Sequence, residues 1–213
     1  MQVLSKAKGE EKDKLKKEYE AHIKRKEGSN ISKEDDKKRA NIDKTFVSAN
    51  FDLQKVLQIS VSDAGPVYYS RKLCVYNLTV YEAAPPNKAF CFTWNECNGK
   101  RGSNEIGSCI LEWFKTSSDI VKEVSLFSDT CGGQDRNQFV AALFLFIVQT
   151  THVEVTEHVF MEKGHSEMGV DSMHSAIEYA QRDIFIYCLS QWLTVFALAR
   201  PNHNRNKNKE KNL

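Results

Sequence analysis

Four acidic residues of this 213-residue chain sit where a chemical site would need them: Asp52, Glu105, Asp129 and, in the last third, either Asp171 or Glu178. Carboxylates are hard oxygen ligands, and two or three of them at one point hold Mg²⁺ or Mn²⁺. Two such ions about 3.5–4 Å apart can activate an attacking oxygen and stabilise a leaving one during in-line displacement at phosphorus. Gathered together, these acids would therefore support phosphodiester hydrolysis or strand transfer. Asp129 is the first candidate, because SDTCGGQDRN surrounds it with small residues and with the amides of a following helix N-terminus, both of which suit a bulky polyanion. Gly132, Gly133, Gln134, Arg136 and Asn137 in that turn, with His165 in GHS, are the candidate nucleic-acid contacts. The structural alternatives are plain: Glu105 complements a helix dipole, Asp171 caps a helix, and His165 is an exposed loop histidine.

Those acids are useful only if the elements carrying them converge. Val47, Ala49, Phe51 and Leu53 alternate with Ser48, Asn50 and Asp52, which predicts a strand with its acid on the less apolar face. LCVYNLTVY (73–81) and AFCFTW (89–94) read as an antiparallel pair turned through EAAPPNK. SNEIGSCILEWF (103–114) has helical spacing with Ser103 and Glu105 at its start, VSLFSD (124–129) is a short buried strand ending in Asp129, and QFVAALFLFIVQT to Thr150 reads as a helix buried on most sides. THVEVTEHVF (151–160) alternates as a fifth strand parallel to the fourth, after which Asp171 caps MHSAIEYAQR and an apolar segment runs to Arg200.

Three antiparallel strands, a helix, then strand, helix, strand and helix is the element order of the ribonuclease H-like fold, an α/β architecture with a mixed five-stranded sheet flanked by helices. In it the first and fourth strands are neighbours, so Asp52 and Asp129 should lie side by side. Asp171 and Glu178 are about 10 Å apart along one helix, too far to serve one ion, and Asp171 is nearer the strand ends.

Charge is distributed by region. Residues 1–44 hold 14 Lys/Arg against 10 Asp/Glu, residues 45–199 hold 11 against 17, and residues 200–213 hold 5 against 1. The domain at 45–199 is thus acidic, between a charged helical arm and a basic Asn/Lys tail that reads as disordered. The arm is predicted as two helices, 10–27 and a second one after a break at GSN (28–30). The longest apolar run, Phe139 to Val148, is about half of the ~20 residues a membrane helix needs, and the first 30 residues lack the apolar stretch of a signal peptide. Six irregularly spaced cysteines without a CxxC pair favour free thiols and an intracellular compartment, where the sequon Asn77-Leu78-Thr79 stays unmodified.

FDLQKVLQ, RKLCVYNLTVY, TWNECNGKRGSNEIGSC, SDTCGGQDRNQ and MEKGHSEMGVDSMHSAIE resemble, in order and spacing, a family of transposon-derived proteins of insects and other animals with a DDE transposase-like core. The resemblance covers roughly residues 10–200. It implies a metal-dependent nuclease or strand transferase acting on DNA, nuclear, working as a homo-oligomer, with Asp52, Asp129 and Asp171 as its acids and Glu105 beside them. It also implies a Cys-rich segment upstream, so the chain reads as a fragment of a longer element. The family pattern continues GGQ with Asn-Lys-Asn, where this chain has Asp135-Arg136-Asn137, an added acid close to the expected phosphate path. The alternative is a catalytically inactive, domesticated domain that only binds nucleic acid or protein. A DEDD-type 3′ exonuclease ranks last, because the first strand reads Asp52-Leu53-Gln54 rather than Asp-x-Glu.

Overall fold

The computed structural model describes residues 10–62, 64–131, 133–162 and 168–199. The expected tail at 200–213 lies outside them, as do Gly132 and His165. In chain order the elements are α1 (Glu10–Ile42), β1 (Phe46–Leu53), β2 (Leu57–Ile59), α2 (Gly65–Tyr69), β3 (Leu73–Glu82) and β4 (Ala89–Asn95). They continue with α3 (Ser103–Lys115), β5 (Glu123–Asp129), α4 (Gln138–Thr150), β6 (Val155–Met161), α5 (Gly169–Gln181) and α6 (Leu189–Ala199). The architecture is α/β around one mixed sheet.

That sheet has six strands among the described residues, not the five expected. The additional strand, β2, is three residues long and pairs antiparallel with β3 through Leu57↔Val75 and Ile59↔Leu73. β1 pairs with a later stretch of β3, from Leu53↔Leu78 to Ala49↔Glu82. β4 takes the other edge of β3, with Val75↔Asn95 and Tyr81↔Ala89. Because Val75 faces both β2 and β4, and Leu78 both β1 and β4, β1 and β2 lie along the same edge of β3. The chain thus makes five lanes, β4, β3, β1 with β2, β5 and β6, and the lane of β1 is interrupted at residues 54–56. β5 is parallel to β1 and β6 is parallel to β5.

Period two sorts β1 into two faces. Ala49, Phe51 and Leu53 pack with Leu78, Val80 and Leu126 under Ile106, Ile110 and Trp113 of α3 and Val140, Phe144 and Ile147 of α4. On the opposite face, Met173 and Ile177 of α5 and Trp192 and Val195 of α6 cover Leu57 and Val75. Phe127 and Met161 pack there with Met168 and Val170. All six cysteines are free thiols.

Two expectations need correction. The arm is a single 33-residue helix that passes through Gly28-Ser29-Asn30 without a break. A glycine inside a helix costs only about 1 kcal/mol, and α1 is held on both sides of it. His22 and Arg25 contact Glu162 after β6, while Arg39 bonds Glu123 at 2.7 Å and lies 4.0 Å from the Phe46 ring centroid. Ala40, 3% exposed, seats the helix on the body. The second correction concerns α4, which buries Val140, Phe144 and Ile147 but leaves Phe139, Leu145 and Phe146 more than half exposed. It is an outer-layer helix, and only one of its apolar faces meets the sheet.

Two glycines test this description with opposite signs. A Cβ on Gly28 would meet nothing within 4 Å, whereas one on Gly169 would lie 2.4 Å from the Tyr81 ring. Gly28→Ala should raise the melting temperature by a few degrees, reflecting ~0.5–1 kcal/mol of backbone entropy. Gly169→Ala should lower it, since overpacking costs ~1–3 kcal/mol. Thermal melts check both, and no effect of Gly28→Ala would argue for a broken arm.

Candidate metal centre

The site forms where the polar face of β1 meets α5. Three residues at alternate positions of β1 and its continuation reach that helix. Asn50 accepts the Val170 N–H through Oδ1 at 3.0 Å, and Gln54 Nε2 donates to the His174 carbonyl at 3.4 Å. Between them, Asp52 offers a ligand atom to a cluster with Asp171 and His174 in which all three atoms lie within 4.8 Å of one another. Gln54 is itself oriented by Asn77 Nδ2, which donates to its Oε1 at 3.0 Å. The direct approach of α5 to the sheet requires glycine at its first position, against Tyr81.

Asp129 reaches the same place from β5. The β1/β5 register runs from Phe46↔Glu123 to Asn50↔Phe127, and extending it by two residues sets Asp52 opposite Asp129 on one face. Among the described residues, Asp129 Oδ1 is buried with no hydrogen-bond partner. From the turn after β5, Asp135 is buried as well, at 4% exposure, and feels the charges of both Asp52 and Asp129. The turn is closed by the Cys131 carbonyl, which accepts the N–H groups of Gln134, Asp135 and Arg136.

Asp171 has two relations at once. It is the third residue of α5, and one carboxylate oxygen accepts the Met168 N–H at 2.8 Å. The helix therefore begins two residues before Asp171, and the residue closes its first turn from within rather than preceding it. Glu178, two turns further on, lines a separate groove with Lys55, Gln58 and Arg182.

Glu105 stands apart from the cluster. As the third residue of α3 it accepts the N–H groups of Lys100 at 2.9 Å and Gly102 at 3.2 Å. Those bonds, the Lys100 amide first, hold its carboxyl below the ordinary value. Its observed contacts are those of a helix cap. Of the expected nucleic-acid contacts, Asn137 is the N-cap of α4, accepting from Phe139 and Val140 N–H, and Gln134 Nε2 reaches the Arg101 carbonyl at 3.5 Å. Gly133 and Arg136 are exposed, with the Arg136 guanidinium 5.5 Å from the Phe160 ring centroid.

Two residues, His174 of the cluster and the nearby Asp135, escaped the sequence reading. His174 is three residues after Asp171, a spacing that places both on one helical face, so it was accessible from the pattern. Asp135 was noted only as an added acid; nothing in a Gly-rich turn marks one of its side chains as buried.

Like charges and burial act together here. Burial, then the Asp129 charge, pushes the Asp52 carboxyl up to about 7, and burial with the charges of Asp52 and Asp129 pushes Asp135 up to about 7. His174 is pushed down to about 4 by burial, as is His158 on the other face of the sheet. A raised carboxyl contributes stability that is present below its unfolded value and is lost as pH rises through 7; a depressed histidine contributes stability that is lost as pH falls below 6.5. Between pH 4 and 6.5 these effects oppose each other in the wild type. Asp135→Asn removes one raised acid, so its melting temperature relative to wild type, measured in chelator, should climb by ~5–10 °C from pH 5 to pH 8. A constant difference would mean that the carboxyls are solvated.

The model of a family described only as a domain of unknown function (DUF7869) matches residues 79–208. The match takes in Glu105, Asp129, Asp135, Asp171 and His174 and begins downstream of Asp52. No curated protein and no solved structure matches the chain. Since the matched span is more than half of the 213 residues, the chain belongs to the DUF7869 family of domains of unknown function.

Proposed function

We propose that this is a transposon-derived, ribonuclease H-like domain that holds Mg²⁺ or Mn²⁺ on Asp52, Asp129 and Asp171 and acts on DNA phosphodiesters by hydrolysis or strand transfer. The observation that carries the reading is the approach of Asp171 to Asp52 where α5 meets β1, with the β1/β5 register, continued two residues past its last pair, bringing Asp129 alongside Asp52. The lane order is compatible with such a fold, with β3 and β4 antiparallel and β5 and β6 parallel to the β1 direction. The donor set is hard oxygen, suited to these ions. Asp129 Oδ1, buried without a donor among the described residues, is the kind of acceptor a cation satisfies.

When bound, the ions supply Lewis acidity at the scissile phosphate and lower the pKa of an attacking hydroxyl or water. The chain's own residues do the rest. Asp52 is held by strand pairing with Thr79, Asp129 by pairing with Met161, and Asp171 by its bond to the Met168 N–H, an arrangement that would position the oxygens before substrate arrives. Arg136 and Gly133, exposed in the turn after β5, are placed to meet a phosphodiester backbone approaching the acids. Lys33 and Lys37 of α1 line a groove with Tyr81 and Gly169, next to the first turn of α5. Cations are needed there because residues 45–199 carry a net negative charge that repels a polyanion. On this reading the domain works in the nucleus and self-associates. No helix among the described residues is long and apolar enough to cross a membrane.

The test is cleavage or joining of a nicked or hairpin DNA during Mg²⁺ and Mn²⁺ titration. Asp129→Asn should reduce the metal-dependent rate on the order of 10²–10³-fold, as loss of a preorganised charge does. Indistinguishable traces would favour the inactive domain that only binds.

A further inference from the structure

A second concavity lies two residues of β1 away from Asp52. It is a cavity of about 320 Å³ between α1, the β3–β4 turn and the first residue of α5. Lys33, Lys37 and Asn41, at four-residue spacing, share the face of α1 that forms one wall. Tyr81, Ala83 and Pro85 form an apolar wall, which Asn87 braces by donating from Nδ2 to the Ala83 carbonyl at 2.8 Å. Asn50 belongs to the lining although it is only 4% exposed. Its Oδ1 accepts the Val170 N–H at 3.0 Å, while its Nδ2 has no acceptor among the described residues and opens on the cavity. A buried amide donor without an acceptor carries a cost that a bound ligand removes. Two lysines against one exposed acid, Glu34, leave this lining net positive on a body that is otherwise acidic.

We propose that this cavity is a nucleotide pocket, taking a single nucleoside monophosphate unit with its phosphate on the lysine side of α1 and its base against Tyr81 and Pro85. The lining supplies each part of that ligand with a partner. Aromatic and apolar surface meets the face of a base, the amides of Asn41 and Asn50 meet its polar edge, and ammonium groups meet the phosphate. A volume at the low end of small-ligand sites admits one base and not a base pair. The inference rests on the DNA-directed reading above and deepens it, because Asn50 and Asp52 share one face of β1, ~7 Å apart along the strand. A nucleotide of the substrate seated there is unpaired and adjoins the phosphodiester held at the acids. A free mononucleotide offers the same chemistry, and the test separates the two sources.

The experiment titrates the full chain in chelator, where metal-dependent cleavage does not proceed. The probes are deoxynucleoside monophosphates, deoxyribose 5-phosphate, inorganic phosphate, a single-stranded oligonucleotide and a blunt duplex. A monophosphate should bind at least ~10-fold tighter than deoxyribose 5-phosphate or phosphate, the contribution of a stacked base. Lys37→Gln should weaken it ~10-fold, as loss of a charged hydrogen bond does. Lys38→Gln, one residue along the helix and outside the lining, should change it less than ~2-fold. Both lysines are exposed on α1, so neither variant endangers folding. Displacement of the monophosphate by the single strand, with the duplex weaker, assigns the pocket to a strand of substrate; a monophosphate that no oligonucleotide displaces assigns it to a free nucleotide. Equal losses in the two lysine variants, or phosphate as tight as the nucleotide, would mean unspecific attraction of anions and overturn the pocket. No nucleotide binding beside intact metal-dependent cleavage would overturn it too and leave the DNA-directed reading standing. Nucleotide binding as expected, in a chain that cleaves and joins no DNA, would uphold the pocket and defeat that reading.

Discussion

The parallel pairing of β1 with β5 is the constraint on which the rest depends. Its register runs Phe46↔Glu123 to Asn50↔Phe127, and continued by two residues it sets Asp52 opposite Asp129. Backbone hydrogen bonding and the packing of Ala49, Phe51 and Leu126 under α3 and α4 hold that register, because a slip of one residue would turn the apolar set outward. The strands therefore cannot relax to separate Asp52 from Asp129. Burial, and after it the Asp129 charge, pushes the Asp52 carboxyl up to about 7. A fold stabilised by one face of β1 imposes an electrostatic penalty on the other.

On the second face, the polar residues of β1 meet α5 between the apolar clusters around Val75 and around Phe127. Asn50 and Gln54 supply the polar links to Val170 and His174 at either side of Asp52, and Gly169 lets the helix start against Tyr81. Each of these contacts constrains where Asp171 and His174 arrive. Asp171 and Glu105 show how position separates similar residues. Both are third residues of helices and both accept a backbone N–H just upstream. Only Asp171 does so beside other acids, because α5 crosses the end of β1 whereas α3 begins at a loop bonded through Lys100.

Much of this was legible in the sequence. β3, β4 and β5 lie within one residue, at each end, of the segments 73–81, 89–94 and 124–129 read from period-two patterning. The acid on the polar face of β1 followed from the same alternation. What could not be read depended on tertiary contacts. Gly28 looked like a helix break because its local cost is visible and the docking of His22, Arg25 and Arg39 is not. β2 is three residues long, too short for periodicity to register. The ten-residue apolar run of α4 looked buried on most sides, but composition does not reveal which layer a helix occupies. Asp135 was legible as an acid and not as a buried one, since its environment is made by β1 and β5 rather than by its own turn.

The most direct test of the account is crystallographic: a crystal of the full chain soaked in Mn²⁺ and measured at a wavelength where manganese scatters anomalously. The account predicts an anomalous peak bonded to Asp52 and Asp171, with a second on the β5 side against Asp129. An empty map there, with Asp52 and Asp129 instead sharing a proton across a direct carboxyl–carboxylate hydrogen bond, would contradict it.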